Sequence, residues 1–361
     1  MRLLACVYFL TILGVSPAFS GTEAQAKAVR KAYETENRLF AQKLKMAPSH
    51  DARQKLMVEE APDATEAAKA MWQVIRTELD EEWVIEPASW YLRLAHKEVK
   101  PSEKGQMMRV FEKEISTVQE AVEKHHLKSM KLAPMCLALV TCSDKKSMEL
   151  LRMIEAQNPH DTVSGVAALG IAMLAKNLGD EPRIMQERIS MIRKAIVKSA
   201  DVTVDGISMA KLAEEELYII MNLSKDRIAP DFEGSDSGGR SMKLSDYSGK
   251  VVMLIFWNTM DNDASGLIQW VKALRKDDRF AGKEFVVVGV NNNLRTELRT
   301  LQADGKVDWP NFSDPQNKLA EKYRLSAWPT CYVLGPDRKI HYIGNIGPFA
   351  ELTAAALLSE S

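Results

Sequence analysis

Val251-Val252-Met253-Leu254-Ile255-Phe256-Trp257, read together with Phe285-Val286-Val287-Val288-Gly289-Val290, decides the fold of the C-terminal part of this chain. Both are near-continuous runs of β-branched and other apolar residues, the pattern of central strands covered on both faces. Residues 262–276 between them carry helical periodicity, so the three segments make a strand, helix, parallel-strand unit whose crossover should be right-handed. Working outward, a second helix is expected over 294–304, then Asp308-Trp309-Pro310 and a helix around 316–323. A hairpin of 330–334 with 339–343 follows, turned by Gly335-Pro336-Asp337. Upstream, Gly and Pro become frequent after Asp226, through Ile228-Ala229-Pro230-Asp231-Phe232 and Gly238-Gly239 to Leu244-Ser245-Asp246-Tyr247-Ser248-Gly249-Lys250. A domain boundary is therefore placed between residues 225 and 226.

Residues 21–225 read as an all-α domain, rich in Ala, Leu, Met, Glu, Lys and Arg, with apolar positions recurring at three and four. Helices are expected over 24–46, 63–83, 101–126, 147–157, 163–177, 182–200 and 207–223. Pro48, Pro87, Pro134, Asn158-Pro159 and Gly179 read as breaks. Met108, Phe111, Ile115, Val118 and Val122 mark one buried stripe, and Trp72, Trp83 and Trp90 read as core. Short connections imply antiparallel helix pairs. The stretch Asn158-Pro159-His160-Asp161 with Val163, Val166, Ala167, Leu169, Gly170 and Ala172 resembles one unit of an α-solenoid, where small residues let helices approach closely. His125-His126 point about 100° apart on a helix and cannot easily share a metal, so they read as a solvated helix end.

Composition bounds the function classes. The 361 residues include 48 Lys or Arg and 49 Asp or Glu, a formal charge of −1, so no strong global field draws the chain to nucleic acid or anionic lipid. With 46% apolar and 27% charged residues it is globular rather than disordered or polytopic. Residues 1–20 read as a signal peptide: Met1-Arg2, an apolar run from Leu3 to Val15, and small residues at Ala18 and Ser20 for cleavage before Gly21. The run is too short to anchor the chain in a bilayer, and Leu3-Leu4-Ala5-Cys6 precedes the segment that a lipoprotein box should follow. The mature protein is thus expected to be exported, periplasmic or secreted, without a stable membrane anchor. Four cysteines, Cys6, Cys136, Cys142 and Cys331, show no C-x-x-C spacing and make no disulfide framework. Cys136 and Cys142 sit six apart on a helix, awkward for a bridge, and read as buried free thiols.

Ala229-Pro230-Asp231-Phe232, Leu244-Ser245-Asp246-Tyr247-x-Gly249-Lys250-Val251-Val252, Phe256-Trp257-x-Thr259 and Trp328-Pro329-Thr330 before a strand together resemble the thioredoxin fold. More narrowly, they are similar to the redoxins: the AhpC/TSA (alkyl hydroperoxide reductase and thiol-specific antioxidant) superfamily with the TlpA-like thiol/disulfide oxidoreductases. The resemblance covers residues 228–361 and implies that Pro329 is a cis-proline beside the family's active site.

Redox-active relatives follow Phe-Trp-x-Thr with an aromatic residue and then Cys-x-x-Cys. Here Asp261 and Ala264 hold the two cysteine positions, within Asp261-Asn262-Asp263-Ala264. That reaction needs one thiolate to attack a disulfide and a second thiol to resolve the mixed intermediate. A carboxylate and a methyl group do neither. The peroxidatic spacing fails as well, since Thr259 is followed three residues later by Asn262. Asp261 or Asp263 reads as a helix N-cap rather than a catalytic carboxylate. The run from Asp261 to Ile268 imitates the opening of a calcium loop, but Lys272 stands where a bidentate carboxylate should, so no metal and no cofactor is expected. The expectation is a redox-inactive binding or scaffold protein that keeps a groove at Trp257, Asp261, Trp328, Pro329 and Thr330 for an unidentified protein or extended peptide. Its rival is a thiol oxidoreductase or peroxidase using Cys331 or a Cys136/Cys142 pair, against which Cys331 reads as a buried strand cysteine.

Overall fold

A computed structural model describes residues 20–102, 105–179, 181–260 and 264–360. The expected signal peptide lies outside them except for Ser20. The chain divides into two compact units, one of residues up to Asn177 with Ser190–Ala210, the other of Leu178–Ile189 with Lys211 onward.

In the first unit α1 (Glu23–Met46) opens on a capping box: Gln25 N–H donates to Thr22 Oγ1 at 3.3 Å and Thr22 N–H donates to Gln25 Oε1 at 2.9 Å. Ser49 and Asp63 cap α2 (His50–Glu59) and α3 (Ala64–Ile75). The helix expected over 63–83 ends at Ile75, and α4 (Ile85–Ala95) begins after a short turn at Glu82–Val84. Pro87 and Pro134 do not break helices as expected. They occupy the first turns of α4 and of α6 (Ala133–Cys142), where a missing N–H leaves no bond unmade. Trp90 is buried, while Trp72 and Trp83 are half-buried.

The helix expected over 101–126 is also corrected. Val99–Pro101 (β1) and Met107–Arg109 (β2) form an antiparallel hairpin with Met108 opposite Lys100, and α5 begins only at Glu112, running to Ala121. Phe111, Ile115, Val118 and Val122 are buried as expected, whereas Met108 is 54% exposed. Gly105 at φ +75° makes the turn and Pro101 supplies no N–H, so the helical spacing of apolar residues runs past the point where a helix can exist. Beyond α5 the wider turn Val122–His126 buries His126, which bonds to the Leu79 carbonyl at 2.7 Å; only His125 is solvated. No cluster of three or more metal-ligating side chains occurs among the described residues.

α7 (Lys145–Gln157) packs on α8 (Asp161–Ala175) through small residues: a Cβ at Gly170 would come within 3.0 Å of the Leu151 side chain. The chain continues through α9 (Pro182–Ser199), a two-residue hairpin of β3 (Thr203–Val204) with β4 (Ile207–Ser208), and α10 (Met209–Asn222).

The second unit holds the small hairpin β5 (Glu233–Ser235) with β6 (Ser241–Lys243), then β7 (Val251–Trp257), α11 (Ala264–Lys276), β8 (Phe285–Asn291), α12 (Arg295–Ala303) and β9 (Asn311–Ser313). It continues with α13 (Lys318–Lys322), β10 (Thr330–Leu334), β11 (Ile340–Gly344) and α14 (Pro348–Glu360). The five-stranded sheet runs β11-β10-β7-β8-β9, with β7, β8 and β9 parallel and β10 antiparallel to both neighbours. Strand β9 and helix α14 complete the expected order. Along β7 the side chains alternate: Val252, Leu254 and Phe256 enter one core with Phe232, Phe312 and Tyr323, and Val251, Met253, Ile255 and Trp257 enter the other with Leu267, Val271 and Ala354.

Gly289 lets Trp257 reach across β8. Its indole Nε1 donates to Asn311 Oδ1 on β9 at 2.8 Å, and a Cβ at Gly289 would lie 1.8 Å from that oxygen and 2.8 Å from the nitrogen. Gly289→Ala is therefore expected to cost about 1–3 kcal/mol by overpacking and to break this bond. Urea unfolding followed by circular dichroism reads the loss, with no change expected from Gly282→Asn at an open left-handed turn.

Candidate functional site

The candidate site lies where the parallel strands β7 and β8 end and β10 begins. The loop after β7 is held by asparagines. Thr259 N–H donates to Asn293 Oδ1 at 3.1 Å, and Asn293 Nδ2 donates to Thr259 Oγ1 at 2.5 Å and to Glu297 Oε2 at 2.9 Å. Asn291 Nδ2 donates to the Trp257 carbonyl at 3.2 Å and to Asn293 Oδ1 at 2.9 Å, and Met260 N–H donates to Asn258 Oδ1 at 2.8 Å. Asn291 and Asn293 are buried, so each bond also satisfies a group that would otherwise be stranded without water. Sequence reasoning missed this clamp; the signal was the run Asn291-Asn292-Asn293 closing an apolar strand.

Asp261, Asn262 and Asp263 lie outside the described residues. Ala264, which the resemblance places at the second cysteine position, is the first residue of α11. Ser265, Gly266, Leu267 and Ile268 are helical, and Lys272, also within α11, donates from Nζ to the Gly305 carbonyl at 2.8 Å. Positions 5 to 12 of the imitated calcium loop are therefore helix rather than loop.

The expected groove residues do not share one surface. Trp257 is fully buried in the core beneath α11, its ring 5.9 Å from that of Trp309, and it presents nothing to a ligand. Trp328 packs on the opposite face of the sheet, with its ring 6.4 Å from Phe256. The correction follows from the period of two in β7, which sends Phe256 and Trp257 to opposite sides. Trp328, Pro329 and Thr330 are half-buried, the Trp328–Pro329 bond is cis, and Thr330 Oγ1 donates to the Ala327 carbonyl at 2.7 Å. These three remain together at the sheet end.

The thiols are sealed. Cys331 is fully buried in β10, paired with Ile255 on one side and Gly344 on the other, and burial pushes its thiol far above the ordinary range. Cys136 and Cys142 are free and buried, each pushed up to about 12 by burial. Both lie in α6 and their six-residue separation spans about 9 Å along the helix axis, beyond the reach of a disulfide.

Residues 226–343 match the AhpC/TSA family, and this C-terminal part of the chain is an AhpC/TSA thioredoxin-like domain. Thiol-disulfide oxidoreductase ResA of Bacillus subtilis (strain 168) is 27% identical over 119 residues, 33% of this chain and 66% of that protein. ResA of Oceanobacillus iheyensis is 28% identical over 151 residues, 38% of this chain and 77% of that protein. The chain thus spans 66% of the length of the first of these relatives. Among solved structures, the thioredoxin domain of a thiol-disulfide oxidoreductase from Bacteroides vulgatus is 22% identical, with 38% of this chain and 99% of that one covered at a TM-score of 0.34. A thiol:disulfide interchange protein from Chlorobium tepidum is 16% identical, with 38% and 97% covered at a TM-score of 0.32.

Because Cys136 and Cys142 are buried and burial raises both thiols above the ordinary range, they should resist an aromatic disulfide reagent at pH 8. Absorbance of the released thiolate is expected to stay near baseline for native protein beginning at Gly21 and to reach three equivalents, one each from Cys136, Cys142 and Cys331, once guanidinium unfolds it.

Proposed function

We propose that this is an exported protein whose redoxin-fold domain binds a protein or extended peptide and carries out no thiol chemistry. One observation carries the reading: across residues 226–361 the sole sulfhydryl is Cys331, and it is walled into a central strand. Disulfide exchange needs a thiolate that can reach an external sulfur, form a mixed disulfide, and pass it to a second thiol. Here the two positions that supply those sulfurs in redox-active relatives carry Asp261 and Ala264. The scaffold beside them supports the reading, with the asparagine clamp holding the loop as far as Met260 and Trp328, Pro329 and Thr330 half-buried together at the adjoining strand end. Those three half-buried residues are the part of the site with surface to offer a chain.

Export is supported by the basic, apolar and small-residue succession of the first 20 residues. Among the described residues no helix is long and apolar enough to cross a membrane.

Dithiothreitol-driven reduction of insulin, and peroxide consumption coupled to a dithiol, test the reading on mature protein beside Cys331→Ser. Both proteins are expected to match the rate without protein. Turnover that disappears in Cys331→Ser would make the chain an oxidoreductase after all. As a gain-of-function control, Asp261→Cys with Ala264→Cys supplies the missing spacing on the retained scaffold and is expected to turn over insulin measurably.

A further inference from the structure

Helix α13 ends on a turn that suits glycine and carries arginine. Leu325 N–H donates to the Ala320 carbonyl at 3.2 Å and Arg324 N–H donates to the Glu321 carbonyl at 3.0 Å, the paired bonds of a Schellman cap. Arg324 holds the left-handed position of that cap, at φ +48°. Glycine adopts this conformation without a Cβ clash, whereas a long side chain is strained there and persists only where its surroundings hold it.

The surroundings fix the guanidinium. Its central carbon lies 4.4 Å from the centre of the Tyr218 ring, Nε donates to a Glu215 carboxylate oxygen, and Nη1 donates to the Glu321 carbonyl at 2.6 Å. Nη2 has no partner among the described residues. Arg324 lines a cleft of about 690 Å³ with Lys211, Glu215, Glu321, Leu325 and Trp328, a volume within the ordinary range of ligand sites. All six residues belong to the second unit, and Trp328 is common to this cleft and to the Trp328, Pro329, Thr330 edge.

We infer that Arg324 is a binding residue of this cleft, donating from Nη2 to a main-chain carbonyl of an uncharged extended peptide whose apolar side chain packs on Leu325 and Trp328. The inference rests on the peptide-binding reading above and adds to it a donor and a class of segment. Charge selects the uncharged segment. Lys211 and Arg324 are balanced around the cleft by Glu215 and Glu321, and Glu215 is bonded to the guanidinium itself. An acidic segment would face two carboxylates and a basic one two cations, whereas an amide carbonyl accepts from fixed N–H groups without bringing a charge to be desolvated. Leu325 and Trp328, both half-buried, supply the apolar wall. Because the guanidinium is already held in place, its side chain has little freedom left to lose on binding.

Isothermal titration calorimetry of the mature full-length protein reads the binding. The probes are a short end-blocked peptide of Ser and Gln around one Leu, and the same peptide with Glu or with Lys in place of Gln. The uncharged peptide is expected to bind at least as tightly as either charged one, with little change between about 50 and 500 mM salt. Arg324→Gly and Arg324→Asn both suit the left-handed turn, so the fold is kept, as circular dichroism checks, and each is expected to weaken the uncharged peptide about tenfold. Trp328→Ala should weaken it as well. Equal affinity in wild type and both Arg324 variants overturns the inference, and if Trp328→Ala alone abolishes binding the peptide-binding reading survives it. Tighter binding of the acidic or the basic peptide, lost as salt rises, also overturns the inference. Failure of the wild-type protein to bind any of the three peptides overturns both.

Discussion

The second unit depends on the burial of β7 on both of its faces. All seven residues from Val251 to Trp257 are buried, and a strand in that position needs a hydrogen-bonded neighbour on each edge and a packed layer on each side. Strands β8 and β10 supply the edges. The aromatic group of Phe232, Phe256, Tyr323 and Tyr332 closes one face in largely edge-on contacts, while α11 and α14 close the other. The start of the loop that follows β7, Asn258 to Met260, is held at the sheet end by Asn291, Asn293 and Asn258.

None of the contacts that hold this part of the redoxin scaffold involves sulfur. The bonds that hold the loop are made by backbone and amide groups: Thr259 and Asn293, Asn291 and the Trp257 carbonyl. None of them requires a cysteine. The one thiol of the domain serves the sheet instead, filling space between Ile255 and Gly344 where a charged thiolate would be stranded in an apolar interior. Fold and chemistry are separable here because their residues are different residues.

The first unit shows a similar reliance on polar anchors at helix ends. Asp144 caps α7 through Ser147 N–H and also receives Arg109 and Gln119, which ties the β1–β2 hairpin and α5 to the α6–α7 junction. Asn158 Nδ2 reaches the Leu127 and Ser129 carbonyls, binding the end of α7 to the segment before α6. Apart from the Asp144 cap, these bonds join positions about 25 to 35 residues apart, so no local pattern in the chain announces them.

Local pattern was enough wherever one period governed a whole element. The strands at 251–257 and 330–334, the helix ending at Met46 and the turn at Gly335-Pro336-Asp337 were legible because burial on two faces, the break at Pro48 and a proline-bearing turn act over a few neighbouring residues. The same periodicity misplaced the start of α5, since apolar spacing does not register a glycine turn and a hairpin folded against the helix. It also placed Trp257 and Trp328 in one groove, because adjacency in a motif says nothing about which side of a sheet each ring takes. By itself the sequence determined the redoxin order of elements and the absence of a paired thiol, both being statements about residue types and spacings. Only the tertiary structure decided that the asparagines clamp the loop, that Trp257 is sealed away and that α14 turns Phe349 and Leu352 outward, because burial depends on what the rest of the chain packs against each face.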